Sequence, residues 1–184
     1  GGSDTDFRAA WQLLCEKVQK QKSGHEVSQI PARPNLNGKA PWNNQPLAYD
    51  NRDLLSAWAK LLKSSGSDTP EFRFDCVNWA RQCLDNYFTE LYASFRSDYK
   101  KGRVDALRAK GARMLEILHD VDELVGSDAY FLMGKWVEDA RSWGQTAEEK
   151  DSFETDSRLL LTCWGQKGRH LTDYANRDWN GLIA

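Results

Sequence analysis

Between Thr69 and Gly102 the chain carries apolar residues on two helical stripes at once, and few folds accept such a segment. Phe74, Val77, Leu84, Phe88, Leu91, Phe95 and Tyr99 recur at helical steps along one face, while Phe72, Cys76, Trp79, Cys83 and Tyr87 line a second. Water cannot be left on either stripe, so the helix must be central and packed on more than one side. Thr69 is the natural N-cap, and Pro70 fits the first turn, where a missing N–H is no loss. Gly102 breaks the helix.

The rest of the chain is helical by the same test. Phe7, Trp11, Leu14 and Val18 form a first stripe that ends near Gly24, and Leu54, Leu55, Trp58, Leu61 and Leu62 form a second. Val104, Leu107, Met114, Leu118, Val121 and Val125 mark a helix ending near Gly126-Ser127. Leu132, Trp136, Ala140 and Trp143 mark another, with Gly144 as its left-handed cap. Thr146-Ala147-Glu148-Glu149 is a capping box that opens a sixth, carrying Phe153, Leu160 and Trp164 to Gly165. Leu171, Tyr174, Ala175, Trp179 and Leu182 space a seventh. No alternating strand pattern competes. The expected fold is all-α, a single bundle of about seven helices with a long proline-rich loop after the first.

That loop, residues 23–50, holds four of the five prolines. A connection of this length either lies over the bundle as a tie or serves a cleft. Both readings stay open here.

Composition removes several functions. The net charge is −2 with acidic and basic residues interleaved, which excludes charge-driven nucleic-acid binding. No apolar run reaches the roughly 20 residues of a membrane helix. Gly1-Gly2-Ser3 has no basic or apolar leader pattern and reads as an internal starting point. His25, His119 and His170 are scattered, without metal-ligand spacing, so neither a metal nor another cofactor is expected. Asp120, Asp122 and Glu123, like Glu148, Glu149 and Asp151, read as solvated faces or caps. Cys15, Cys76, Cys83 and Cys163 include no CxxC pair; Cys76 and Cys83 would stand about 10.5 Å apart along one helix, too far to bridge. Buried free thiols are expected. Eight tryptophans suit a packed core and also sugar-stacking walls, with core the expectation for most.

The polar-aromatic segment Ser157–Trp164 and Asp173–Trp179 fits neither plain core nor plain surface. A helical corner that buries Trp164 and Trp179 and pins itself with polar bonds would use these residues. So would a sugar site, which needs flat aromatic faces beside amide and hydroxyl groups. Residue types alone favour the corner.

A family resemblance changes that balance. Phe72-Arg73-Phe74-Asp75 with Arg81-Gln82, Asp122 through Phe131-Leu132-Met133-Gly134-Lys135-Trp136 to Ala140-Arg141, Ser157-Arg158 through Leu161-Thr162-Cys163-Trp164-Gly165, and Asp173-Tyr174-Ala175-Asn176 follow in order. With Tyr49–Asp53 and Ala57-Trp58, this series resembles the C-terminal helical domain of α-N-acetylglucosaminidases, the glycoside hydrolases of family 89. The resemblance covers most of the chain.

It implies that residues 1–184 are the helical domain of a larger glycosidase, truncated at both ends and acting with a (β/α)₈ barrel of the same polypeptide. The parent would be a retaining exo-glycosidase that releases terminal α-linked N-acetylglucosamine from a glycan such as heparan sulfate, using two glutamates on the barrel. This chain would hold no catalytic residue. The resemblance places Trp164 in the wall of the sugar pocket and His170 near a pocket-facing position. It sets Tyr174 beside that corner, with Asn176 and Tyr49 as further substrate contacts. The parent would be exported, to the periplasm or medium, or held in a lysosome or vacuole. The alternative is a stand-alone helical module that binds carbohydrate or docks a protein without catalysis.

Overall fold

The computed structural model describes residues 4–20, 29–31, 36, 47–64 and 69–161. Among these there are six α-helices and no strand: α1 (Thr5–Leu13), α2 (Asn51–Lys63), α3 (Pro70–Lys100), α4 (Val104–Gly126), α5 (Met133–Arg141) and α6 (Ala147–Leu161). The all-α expectation holds. The seventh stripe, Leu171–Leu182, and the end of the first helix near Gly24 lie outside the described residues. The described helices group in two compact units, one holding α1–α4 and the other α5 and α6.

In the first unit α3 is central. Thr69 Oγ1 accepts from Phe72 N at 3.2 Å, with Pro70 in the first turn. Thirty-one residues then run for about 46 Å. One face of α3 gives Trp79 and Cys83 to a core with Ala10 and Leu14 from the first helical segment and Leu54, Ala57 and Leu61 from α2. Trp11 meets Trp79 edge to face at 5.0 Å, and the Trp58 indole donates to the Cys76 carbonyl at 2.9 Å. The Trp58 bond lets that ring bury with its indole N–H satisfied, whereas the buried Trp11 N–H meets no acceptor among the described residues. The neighbouring helix α4 also packs on α3, and Gly111 of α4 sits against the Phe95 ring. Both stripes are thus used.

The α3–α4 turn follows from one glycine. Gly102 adopts φ 66°, and the Arg103 N–H reaches the Asp98 carbonyl at 3.0 Å while the Gly102 N–H reaches Tyr99 at 3.1 Å. This is the Schellman pattern, which closes orphan carbonyls at a helix end. Buried Asp98 also pairs with Lys110 and Arg103, and the Lys110 hydrogen bond does most to hold its carboxyl below the usual range.

In the second unit α5 and α6 form a hairpin through the turn 142–146. Thr146 Oγ1 accepts from Glu149 N at 3.2 Å, and Glu149 Oε2 accepts from Gln145 N and Thr146 N at 2.7 and 3.1 Å. The expected capping box is therefore present. Arg141 on α5 bonds Asp151 and Glu154 on α6.

Three expectations change. Gly144 is not a left-handed cap, since Gly102 is the positive-φ glycine among the described residues. A Cβ on Gly144 would instead lie 2.6 Å from Lys150 N and 2.9 Å from Lys150 Cα, so a glycine is required by close approach of α6. Trp136 and Trp143 are exposed rather than core, at 60% and 81%. The buried stripe of α5 is one residue further on, at Val137, because Arg141 and Gly144 on that stripe face α6. Finally, Cys15 is an exposed free thiol, Cys76 half-buried and Cys83 buried, while Cys163 lies outside the described residues.

Gly144→Ala should lower the unfolding free energy by about 1–3 kcal/mol, because backbone atoms must move to admit the methyl group. Gly111→Ala should raise it by about 0.5–1 kcal/mol, since helix-interior glycine is entropically costly and the new Cβ would meet only the Phe95 ring, at 3.8 Å. Urea unfolding of both variants checks this; shifts of the same sign would refute the packing account.

Candidate functional site

Of the five residues expected at a sugar site, Trp164, His170, Tyr174 and Asn176 lie outside the described residues. Tyr49 is described, and the structure fixes it firmly. It directly precedes Asp50, which caps α2 by accepting from Arg52 N at 2.9 Å. The Arg52 side chain folds back onto Asp50, and this hydrogen bonding pushes the carboxyl down to about 2. Both groups are well exposed, so solvent screens the pair and it adds little stability.

The Tyr49 hydroxyl accepts from Asn86 Nδ2 at 2.8 Å. Asn86 is wholly buried on α3, and both ends of its amide are hydrogen-bonded. Its Nδ2 also donates to Asn51 Oδ1 at 3.0 Å, and its Oδ1 accepts from Gln82 Nε2 at 3.0 Å. Asn51 Nδ2 in turn donates to the Cys83 carbonyl at 3.0 Å. One amide thus registers the loop end, the start of α2 and the middle of α3. A second tie to α3 is made by buried Asp85, which accepts from Ile30 N at 3.4 Å; most of the expected loop 23–50 lies outside the described residues. Burial raises the Tyr49 pKa above its ordinary value, so the phenol keeps its proton. Because the oxygen accepts from Asn86, that O–H is left to donate.

Beside this network α2 and α3 frame an open groove of about 650 Å³, lined by Asp50, Asn51, Arg52, Leu55, Cys83, Leu84, Tyr87 and Glu90. Arg113 of α4 lies over the Tyr87 ring, 5.7 Å from its centre. Cys83 at the groove is no nucleophile, because burial pushes its thiol up to about 12 and the reactive thiolate is scarce at neutral pH. Among the described residues no three His, Cys, Asp or Glu side chains come together to hold a metal ion, and no helix is long and apolar enough to cross a membrane. The groove lining combines polar Asp50, Asn51, Arg52 and Glu90 with apolar Leu55 and Leu84.

Asn51, Gln82 and Asn86 were not singled out in the sequence. A signal existed for Asn86, which falls three residues after Cys83 and seven after Trp79, on a stripe that is otherwise apolar. A polar residue at such a position must find partners or be expelled.

Comparison with known proteins gives the class of this helical domain. The family described as "Alpha-N-acetylglucosaminidase (NAGLU) C-terminal domain" matches residues 1–184. The chain belongs to that family, within the glycoside hydrolases of family 89. It is 36% identical over 191 aligned residues to the human alpha-N-acetylglucosaminidase, covering 100% of this chain and 25% of the human protein. A solved family 89 glycoside hydrolase from Clostridium perfringens, in complex with PUGNAc, matches with TM-score 0.77 and 27% identity over 99% of this chain and 22% of its own. The chain therefore spans about a quarter of the length of these relatives.

Asn86→Ala should destabilise the fold by about 1–3 kcal/mol, since Tyr49, Asn51 and Gln82 lose their shared partner. Tyr49→Phe should cost about 1 kcal/mol. Because the folded pKa of Tyr49 is raised, its stabilisation is complete below pH 10.0 and is lost as pH rises through the folded value. The gap between parent and Tyr49→Phe should accordingly narrow under strong alkali, as urea titrations across that range would show. Thiol alkylation at pH 8, read by peptide mass spectrometry, should mark Cys15 in the folded chain and Cys83 only after unfolding. Equal labelling of the two would contradict the burial described.

Proposed function

We propose that this chain supplies one wall of the sugar pocket in an exo-acting α-N-acetylglucosaminidase whose catalytic barrel lies outside these residues. The observation that carries the reading is the family match over residues 1–184 in a chain that spans only a quarter of its relatives. Hydrolysis with retention needs one carboxylate to attack the anomeric carbon and another to protonate the leaving oxygen and then activate water, about 5–5.5 Å apart. In this reading both belong to the barrel. Trp164, His170, Tyr174, Asn176 and Tyr49 would orient a terminal α-linked N-acetylglucosamine against them, a contribution made through positioning. The spare O–H of Tyr49, held in place by Asn86, is suited to donate to a sugar oxygen. An aromatic wall at Trp164 would match the apolar face of a pyranose.

The isolated chain should show no turnover of an aryl α-N-acetylglucosaminide above a buffer blank, whereas the whole gene product should hydrolyse it. Trp164→Ala in that product should lower kcat/KM about tenfold, the kinetic equivalent of roughly 1.4 kcal/mol of lost stacking, with far-ultraviolet circular dichroism unchanged. Turnover by the isolated chain that survives repurification would overturn the proposal.

A further inference from the structure

The α5–α6 hairpin has an apolar side that the fold does not use. Val137, Arg141 and Gly144 form the stripe of α5 that faces α6, and Trp136 and Trp143 each stand one residue before it. At about 100° per residue they form a second stripe beside the first, seven residues apart and so two turns along one line. On α6, Glu154 takes the Arg141 ion pair, and Phe153 stands one residue before Glu154, with Leu160 seven residues further on. Two contacting helices joined by so short a turn run antiparallel. One step back from the contact line on each antiparallel helix points to the same side of the pair. Trp136, Trp143, Phe153 and Leu160, joined by Leu132 at the start of α5, therefore share one face.

Their exposure is 60%, 81%, 42%, 59% and 45% in that order. Together they leave on the order of 500 Å² of apolar surface bare, a size that on monomers is often functional. The Arg141 ion pairs and the close approach at Gly144 are made by the other stripes.

We propose that this face is where the domain docks on the remainder of its own polypeptide. The inference rests on the reading given under Proposed function. The occupant is indicated by length, since the chain covers 22–25% of its relatives and some three quarters of such a polypeptide would stand beside it. Interfaces between domains of one chain bury about 600–1,500 Å², which a patch of this size with a polar rim fits.

Hydroxyl-radical footprinting of the isolated chain and of the whole gene product tests it, with Trp136 and Trp143 as reporters and Leu115 of α4, 62% exposed, as a control. Both tryptophans should oxidise readily in the isolated chain and at least tenfold more slowly in the whole product, while Leu115 is unchanged. The double variant Trp136→Glu with Trp143→Glu should lower the melting temperature of the whole product by several degrees and leave the isolated chain unaffected. Tryptophans already protected in the isolated chain at monomeric dilution would identify other residues of this chain as the cover and overturn the proposal. Protection that appears only as the isolated chain dimerises would name a second copy, with the same consequence. A whole product that hydrolyses the aryl α-N-acetylglucosaminide yet leaves both tryptophans oxidisable would overturn the docking face and spare the functional reading. A whole product without that activity would refute the functional reading itself, and the docking proposal with it.

Discussion

A helix that is apolar on two sides has no stable existence alone. In α3 that constraint is met by burying Trp79 and Cys83 beneath α1 and α2 on one side and setting α4 against it on the other. The organisation of the first unit follows. The chain must return twice to the same helix, once before it and once after it. Helix α4 returns to it through the short Gly102 turn, and α2 precedes it by only a few residues. The long separation lies between the first helical segment and α2. The Trp11–Trp79 contact and the Trp58 bond to Cys76 are the points at which the earlier helices are registered on α3.

Local chemistry was legible in the sequence, and contact geometry was not. Thr69-Pro70, Gly102 and the Thr146–Glu149 box act within one turn of themselves, so a sequence states them directly. Trp136 and Trp143 could not be placed because periodicity locates an apolar stripe only to within a residue or so. The choice between Trp136 and Val137 was made by the ion pairs of Arg141 and the approach of Lys150 to Gly144. Gly144 itself was recognised as necessary for the wrong reason, since a glycine required by space and one required by φ look alike in a sequence. Asn86 was overlooked because its partners, Tyr49 and Asn51, are 37 and 35 residues away. Tyr49 was named through a family resemblance, and no spacing pattern would have found it.

The described chemistry is that of a support. Burial silences the Cys83 thiol beside the groove and keeps the phenol of Tyr49 neutral. In the role proposed for it the domain would hold and orient a ligand, for which rigidity is the useful property. Asn86 confers that rigidity at Tyr49, since an amide whose two N–H groups donate and whose oxygen accepts would lose bonds in any other arrangement.

The connections between the helices also differ in what closing them costs. Closing α4 onto α3 spans only the few residues around Gly102, and α6 closes on α5 through an equally brief turn. Residues 20–50 separate the first helical segment from α2, a stretch roughly ten times longer, and closing it costs about 2 kcal/mol more in chain entropy. Helical hairpins with short loops carry the smaller closure cost, whereas the amino-terminal segment must close across the longer stretch onto α3. In a protein made from its amino terminus, the first part synthesised thus faces the costlier closure. Among the described residues, the bonds from Ile30 to Asp85 and from Tyr49 to Asn86 tie that stretch to α3.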